Sequence, residues 1–524
     1  MSEHHKTILA RLNELEREFD VTALRYKSIR IWPLLRLMLT RALWQEIVPP
    51  GSYGRIKALG KKLERRYPAV NNLMPLPGVL FRWSEYLRRR SMVESVEQQD
   101  AGGIAHMHGP VDALFLAKNN QRRDRVDGKL FNPFFNSLPF NDDAGRSALM
   151  LEYSDDANYL TPRYGTSQLL DSRLAGAALK QSFRSFGALL SGGMRSSKIE
   201  GWAEFRRALN TLDLPFAATH VAVIDKVERI LAYKDVFSAC LRVYRPRLLF
   251  FTCFYDEISF AAILACNDAG VATVELQHGQ QGDHHLMYTH WARVPREGYE
   301  LIPTHFWMWG EPSKARLDAW CGGTTRHKVL MGGSSWLALW RDRNFETDEA
   351  REPAFRDVFN AKVNVMVALQ PVDQPLPDHL LSAIKQSPEH VRWFLRPHPR
   401  MRNRIPELME RLGDLAERCE VERAGSMPLY GMLRHVKVCI TLWSTVAYEA
   451  LAFGAQPVII HPNGRTLMRE FCDNGAFVYT ETAEGILNVI NADSAAPVED
   501  RQYIVADYHL VERTVDDLLA ARGD

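Results

Sequence analysis

Val391-Arg392-Trp393-Phe394-Leu395 runs directly into Arg396-Pro397-His398-Pro399. Further on, residues 436–440 lead into Thr441-Leu442-Trp443-Ser444-Thr445, then into 446–453, Gly454 and Gln456-Pro457-Val458-Ile459-Ile460. Short apolar runs rich in β-branched and aromatic residues are the strands of a parallel sheet covered on both faces. The stretch therefore reads strand, polar turn, helix, strand, polar turn, helix, strand, an α/β pattern. Both strands end in groups suited to an anion. Arg396 can form paired hydrogen bonds to a phosphate, and His398 can donate one more. The prolines on either side of His398 stiffen its turn. Ser444 and Thr445 stand where an N-cap belongs, and a helix start with free N–H groups attracts anions. Gly454 is placed as the helix stop, and Pro457 opens the next strand. Alone, the first turn reads as a surface loop and the Ser-Thr pair as a plain cap. Together, beyond the carboxyl ends of neighbouring strands, they predict a phosphate site.

A second strand–helix–strand unit lies upstream. Residues 246–251 form its first strand, 258–269 its helix ending at Gly270, and 271–276 its second strand, followed by Gln277-His278-Gly279. His278, in a turn that glycine leaves open, is a candidate general base needing only a modest pKa adjustment. Asp256 and Glu257, at the preceding strand end, are rivals for that role; their plain alternative is to complement the helix dipole. Asp283, His284, His285 and His290 follow without the spacing of a metal set, so no metal and no cofactor are expected. Further strands are expected at 111–116, 148–151, 304–310 and 363–369, with a polar loop at 119–125 and mostly helix over 160–235. Gly332-Gly333-Ser334-Ser335 lacks the spacing of a dinucleotide fingerprint. It reads as an interdomain turn opening the second half with 328–331 and within reach of a donor. Residues 345–356 read as a charged, weakly structured insert, and Gln370 ends the 363–369 strand at the cleft.

Arg396-Pro397-His398-Pro399, Ser444-Thr445, and Glu449-Ala450-Leu451 with Gly454 and Pro457 resemble the C-terminal domain of bacterial surface-polysaccharide glycosyltransferases. These include the capsule enzymes that use CMP-activated Kdo or sialic acid. The segment is also similar to the CDP-glycerol glycerophosphotransferases, and the Gln277-His278-Gly279 string resembles a segment of the same enzymes. The resemblance spans roughly residues 105–490. It implies a GT-B fold, two Rossmann-like domains facing a cleft. It further implies transfer of a sugar or polyol phosphate from a CMP- or CDP-linked donor to a lipid-linked or surface-polysaccharide acceptor, without metal. Arg396, His398, Ser444 and Thr445 would hold the donor phosphate; Glu449, Gln370, Gly333 and Ser334 would lie at the nucleotide; His278, Asp256 or Glu257 would be the base. An epimerase of UDP-N-acetylglucosamine shares this architecture. A nucleotide-sugar epimerase or hydrolase is therefore an alternative, as is a non-catalytic scaffold of a polysaccharide assembly complex.

With 524 residues the chain exceeds a single core. The expected division is a helical basic extension over 1–104, an acceptor domain over 105–325, a donor domain over 326–495, and a helix over 496–524 that returns to the first domain. A net charge of +2 gives no field that would draw nucleic acid. Seven scattered cysteines, a start unlike a signal peptide and no long apolar run point to the cytoplasm. Between Arg25 and Arg90, fifteen Lys or Arg stand against three acids, interleaved with Trp and Tyr. That mixture suits an anionic membrane surface; the alternative is a helical subdomain packed on the body.

Overall fold

The computed structural model describes residues 3–47, 75–99, 109–141, 145–156, 159–190, 197–279, 285–492 and 503–521. Its central strands are the apolar runs of the sequence; the edge strands are not, and Ser167–Leu169 lies in the stretch expected to be mostly helical. The first sheet comprises β1 (Ala113–Lys118), β2 (Ala148–Tyr153), β3 (Ser167–Leu169), β4 (Leu248–Phe251), β5 (Ala272–Leu276), β6 (His305–Met308) and β7 (Lys328–Met331). The second comprises β8 (Val363–Ala368), β9 (Val391–Arg396), β10 (Cys419–Glu420), β11 (Val438–Thr441), β12 (Gln456–Ile459) and β13 (Val478–Tyr479). Every residue of β2, β4, β5 and β11 is buried, because helices cover both faces and no polar side is needed.

The spatial orders are β7-β6-β5-β4-β1-β2-β3 and β10-β9-β8-β11-β12-β13. All pairings in both are parallel. Counted from its own first strand, each sheet begins 3-2-1-4-5-6, the order of a Rossmann-type fold. The chain is thus two Rossmann-like domains in the GT-B arrangement. Lys328–Met331, expected to open the second half, pairs instead with His305–Met308 as the edge of the first sheet, so the crossing between domains follows Met331 rather than residue 325.

The N-terminal residues do not stand apart as an extension. Helices α1 (Glu3–Glu18) and α2 (Trp32–Ile47) bury Ile8, Leu12, Leu15, Leu35 and Leu39 in one core with Leu114, Leu149 and Phe251 of the first sheet. Arg36, fully buried, is paired with the equally buried Glu16, which also accepts from Trp32 Nε1 at 2.9 Å. Arg30 meets Glu300 at 2.7 Å and Lys27 meets Glu228 at 2.6 Å. These basic side chains serve the body of the domain. Helix α3 (Pro75–Gln99) lies along α4 (Asp171–Leu190), and α5 (His220–Tyr244) along α6 (Glu257–Ala269). The basic residues of 48–74 and the expected linker at 101–108 lie outside the described residues. No described helix is long and apolar enough to cross a membrane.

Helix α7 (Glu311–Cys321) follows β6, and α8 (Ser335–Asp342) follows the crossing. The segment read as a loose insert forms two short helices, and Asp348 in it accepts from the backbone N–H groups of Asp127 and Gly128, each at 2.7 Å. Helix α9 (Val446–Ala452) follows β11, and α10 (Tyr508–Ala520) packs on the first domain. Arg146 binds Asp516 at 3.1 Å, and Tyr508 Oη donates to the Ser137 carbonyl at 3.2 Å. The chain therefore crosses between domains twice, and the crossings touch. Val505 N–H donates to Trp309 O at 2.7 Å, while Ser334 N–H donates to Val505 O at 2.8 Å. Trp307 packs on Gly332 and donates from Nε1 to Gly333 O at 2.8 Å.

A Cβ on Gly332 would stand 2.0 Å from Trp307 Cε2, deep in rigid packing. Gly332→Ala is expected to lower the thermal unfolding midpoint by several degrees, the ordinary cost of overpacking being about 1–3 kcal/mol. Gly323→Ala, where a Cβ meets open space, should leave the midpoint unchanged.

Candidate functional site

In each sheet the strand order reverses beside the first strand, and a crevice opens at the carboxyl end there. In the second sheet this point lies between β8 and β11. Thr441 Oγ1 donates to Ala368 O at 3.0 Å, and Gln370 Oε1 accepts from Trp443 N–H at 2.7 Å. Gln370 is thereby committed to holding the 441–445 turn. Ser444 Oγ accepts from Val446 N–H at 3.3 Å, in the turn just before the α9 N-cap, Thr445. Thr445 has helical backbone angles, makes no side-chain cap, and lines the cleft instead.

That cleft holds a cavity of about 100 Å³ between the two domains. The first domain contributes Gln277 after β5, and Trp309, Ser313 and Arg316 after β6. The second contributes Thr445, Tyr448 and Glu449 from the α9 region, with Phe471 close by and Tyr503 from the returning segment. Tyr448 stacks edge-on against Phe471 at 4.6 Å. The wall is thus aromatic on the second domain, with the carboxyl groups of Glu449 and Glu470, and bears a guanidinium on the first, a combination that can stack a planar ring and bond both hydroxyl and anionic groups.

Glu449 accepts from Tyr430 Oη at 2.7 Å. Burial pushes its carboxyl up to about 7, against the pull of the Tyr430 hydroxyl and the charges of Arg123 and Arg396. The stretch expected as a polar loop after β1 is a 3₁₀ turn (Asn119–Gln121) and a hairpin pairing Asp124–Val126 with Lys129–Phe131; Asp124, beside Arg123, is likewise pushed up to about 6 by burial despite Arg123, with Glu349 adding to the rise. Arg123 and Asp124 of one domain therefore meet Arg396, Tyr430 and Glu449 of the other. Arg396 differs from its expected use in one respect. Its Nη1 donates to the Ala424 carbonyl at 2.7 Å and to that of Met427, so part of the guanidinium braces its own domain. His398 Nδ1 accepts from Arg400 N–H at 3.2 Å, capping a 3₁₀ turn; burial and then Arg400 lower its pKa.

In the first domain the candidate bases differ sharply. Glu257 is ion-paired with Lys226 and, at 2.7 Å, with Arg229. Burial alone would raise its pKa, but the hydrogen bond and charge of Arg229 and then Lys226 hold it down at about 2. A carboxylate so stabilised is a poor proton acceptor. Asp256 caps α6 by accepting from Ser259 N–H at 2.7 Å, and lies 3.4 Å from Tyr153 Oη and 3.8 Å from Lys118 Nζ. Burial raises its pKa against the pull of Lys118. Asp256 and Glu257 line a second cavity of about 280 Å³, walled by Leu34, Leu37, Met38 and Arg41 of α2 and by Lys118 and Tyr153. His278 follows Gln277 at the cleft edge; burial lowers its pKa to about 4, leaving the ring neutral near pH 7.

Gly333 and Ser334 lie away from this group, at the domain crossing, where Val505 engages their backbone. Among the described residues no cluster of three His, Cys, Asp or Glu side chains is placed to hold a metal ion; Asp283 and His284 lie outside those residues. Sequence reading missed Arg316, Tyr430 and the buried pair Glu275–Tyr288, in which the Tyr288 hydroxyl donates to a carboxylate whose pKa burial raises well above the usual range. Trp309-Gly310 opening a helix after a strand was a usable signal for Arg316. Tyr430 carried none.

No family model matches the chain, and no curated protein matches it. Solved structures similar to it include the UDP-GlcNAc 2-epimerase of Methanocaldococcus jannaschii, at 11% identity and TM-score 0.47, covering 78% of this chain and 99% of that one. The Neisseria meningitidis UDP-GlcNAc 2-epimerase bound to UDP-GlcNAc is similar at 10% identity and TM-score 0.45, covering 78% and 100%. An Anabaena protein, HepE, in complex with UDP and glucose is similar at 12% identity and TM-score 0.40, covering 79% and 100%.

Because the folded pKa of Glu257 is depressed, its pair stabilises the fold fully above the unfolded carboxylate pKa and loses that effect as pH falls toward about 2. Glu257→Gln is expected to destabilise the protein at pH 7 by about 2–4 kcal/mol, since two cations lose their partner. The difference from wild type in urea unfolding should shrink steadily between pH 5 and pH 3.

Proposed function

We propose that this chain is an enzyme of nucleotide-activated sugars that holds the nucleotide in the cleft between its two sheets. The observation that carries the reading is the cavity at the facing carboxyl edges. Arg316 and Ser313 stand on one wall and Thr445, Tyr448 and Glu449 on the other. Tyr448 would stack the base, Thr445 and the cationic side chains would hold the phosphates, and Glu449 would bond the ribose hydroxyls. The charge developing on a departing nucleotide would be met by groups already in place. Two kinds of chemistry use such a site. In the first, the sugar is converted while it stays in the cleft, as in an epimerase or hydrolase; the names of the similar structures make UDP-GlcNAc the first substrate to try.

A specific feature favours the second, transfer to an acceptor. The cavity beside Asp256 gives a second substrate its own place, with an apolar wall from α2. There an acceptor hydroxyl would give its proton to Asp256 while its oxygen attacks the anomeric carbon. The bond from that carbon to the phosphate oxygen would break, and the electron pair would leave with the nucleotide. Burial raises the proton affinity of Asp256, as a base requires, and Lys118, at 3.8 Å, opposes that rise.

Calorimetry with UDP, CMP, CDP and UDP-GlcNAc tests the site. At least one nucleotide should bind, and Thr445→Val and Arg316→Ala should each weaken it tenfold or more, about 1.4 kcal/mol. Asp256→Asn should leave that affinity within twofold and abolish turnover. Product analysis without acceptor then separates the chemistries: an epimer or free sugar marks the first, and turnover only with acceptor marks the second. Failure of every nucleotide to bind would overturn the reading and favour a scaffold.

Glu449 supplies a pH test. Its folded pKa lies above the unfolded value, so its contribution is most favourable at low pH and is lost as pH rises through about 7. Glu449→Gln should raise the melting temperature by a few degrees at pH 8 and barely change it at pH 5.

A further inference from the structure

Helix α3 presents two unlike faces. Its inner face packs on α4, where Tyr86 lies against Gly176 and Arg89 pairs with Asp171. Its outer face carries Leu80, Phe81, Trp83 and Leu87, exposed by 62, 65, 49 and 48%. Leu80, Trp83 and Leu87 follow one another at i, i+3 and i+7, a single stripe, with Phe81 beside it. Phe183 on α4 is exposed by 48%. It lies seven residues beyond Gly176, as Val79 lies seven before Tyr86, so the antiparallel pairing sets Phe183 beside the start of this stripe.

Basic groups are concentrated beside the stripe. Four arginines, 82, 88, 89 and 90, stand on α3 against Glu85, Glu94 and Glu97, three of them in the run Arg88-Arg89-Arg90. Arg88 and Arg90 are more than half exposed. Their partners, Glu85 at 2.8 Å and Glu94 at 2.9 Å, form surface pairs of small worth that cost little to open, so the guanidinium groups can exchange them for another anion.

We propose that this face of α3 rests on an anionic lipid surface. The apolar side chains would enter the boundary between headgroups and acyl chains, with the arginines on lipid phosphates. Trp83 suits that boundary, where an amphipathic ring is most stable. A second copy of the chain fits less well. An isologous contact would set the arginines of one copy against those of the other. Five side chains about half exposed, at ~150–250 Å² for a fully buried aromatic, also supply only about two-thirds of the ~800 Å² per partner that a stable dimer buries. The inference stands independently of the nucleotide site.

Co-sedimentation of the full chain with vesicles of phosphatidylcholine and phosphatidylglycerol at 3:1, against phosphatidylcholine alone, tests it. The wild type should bind the mixed vesicles at least tenfold more tightly than the neutral ones. L80S/F81S/L87S and, separately, R88E/R90E should each lose tenfold or more of that affinity while keeping the wild-type melting temperature. Either variant alone decides. Unchanged vesicle binding in a folded variant would overturn the proposal, as would a wild type that ignores anionic vesicles. A dimer by light scattering that only the apolar variant dissociates, without vesicle binding, would overturn it in favour of a self-interface.

Discussion

Trp307 seated on the bare backbone of Gly332 is the contact on which the rest of the molecule depends. It closes the first sheet at the point where the chain leaves for the second, and it sits in a core that belongs to neither domain alone. Phe115, Phe135 and Phe250 of the first domain share that core with Trp340, Met366 and Phe394 beyond the crossing, and with Tyr508 and Val511 of the returning helix. Continuous apolar packing of this kind fixes the separation of the two sheets, because a close-packed interior has few alternative arrangements. The separation in turn sets the width of the cleft. Side chains from β5 and β6 can therefore meet those of α9 across one cavity.

Four carboxylates near the strand ends show how one functional group becomes several. Glu257 has two cations as partners and is held near 2. Asp256 keeps one lysine at a distance and a helix-capping bond, and burial lifts it. Asp124 and Glu449, buried against each other's neighbours across the cleft, sit near 6 and 7. Environments that pull equivalent groups apart in this way are how a site assigns acid and base roles. Here the separation divides a structural acid from two that can exchange protons near neutral pH, Asp124 and Glu449, with Asp256 raised by burial.

The parallel strands were legible in the sequence because their signal is local. A strand buried on both faces is an unbroken apolar run, and 391–395, 436–440 and 246–251 each coincide with one. The switch-point turns after β9 and β11 were legible for the same reason. What depended on distant partners was not. β7 is a half-exposed edge strand whose identity lies in its pairing with β6 rather than in its own residues. Arg396 looked like a free phosphate ligand because Ala424 and Met427, whose carbonyls it holds, carry no mark of that role. The basic N-terminal residues looked like a surface because Glu228 and Glu300 lie some two to three hundred residues away. On α3 the apolar side chains of the outer face stay exposed, since no described element covers them.

The two crossings between the domains have a mechanical consequence. Residues 332–334 and 505 lie side by side and are hydrogen-bonded to each other, so the joint is a ribbon rather than a thread. A thread lets two bodies swivel and twist in any direction. A ribbon resists bending within its own plane and yields across its thickness, which makes it a hinge with one axis. A displacement of one domain against the other would be confined to that arc, along which Arg316 and Thr445 would part without sliding past each other.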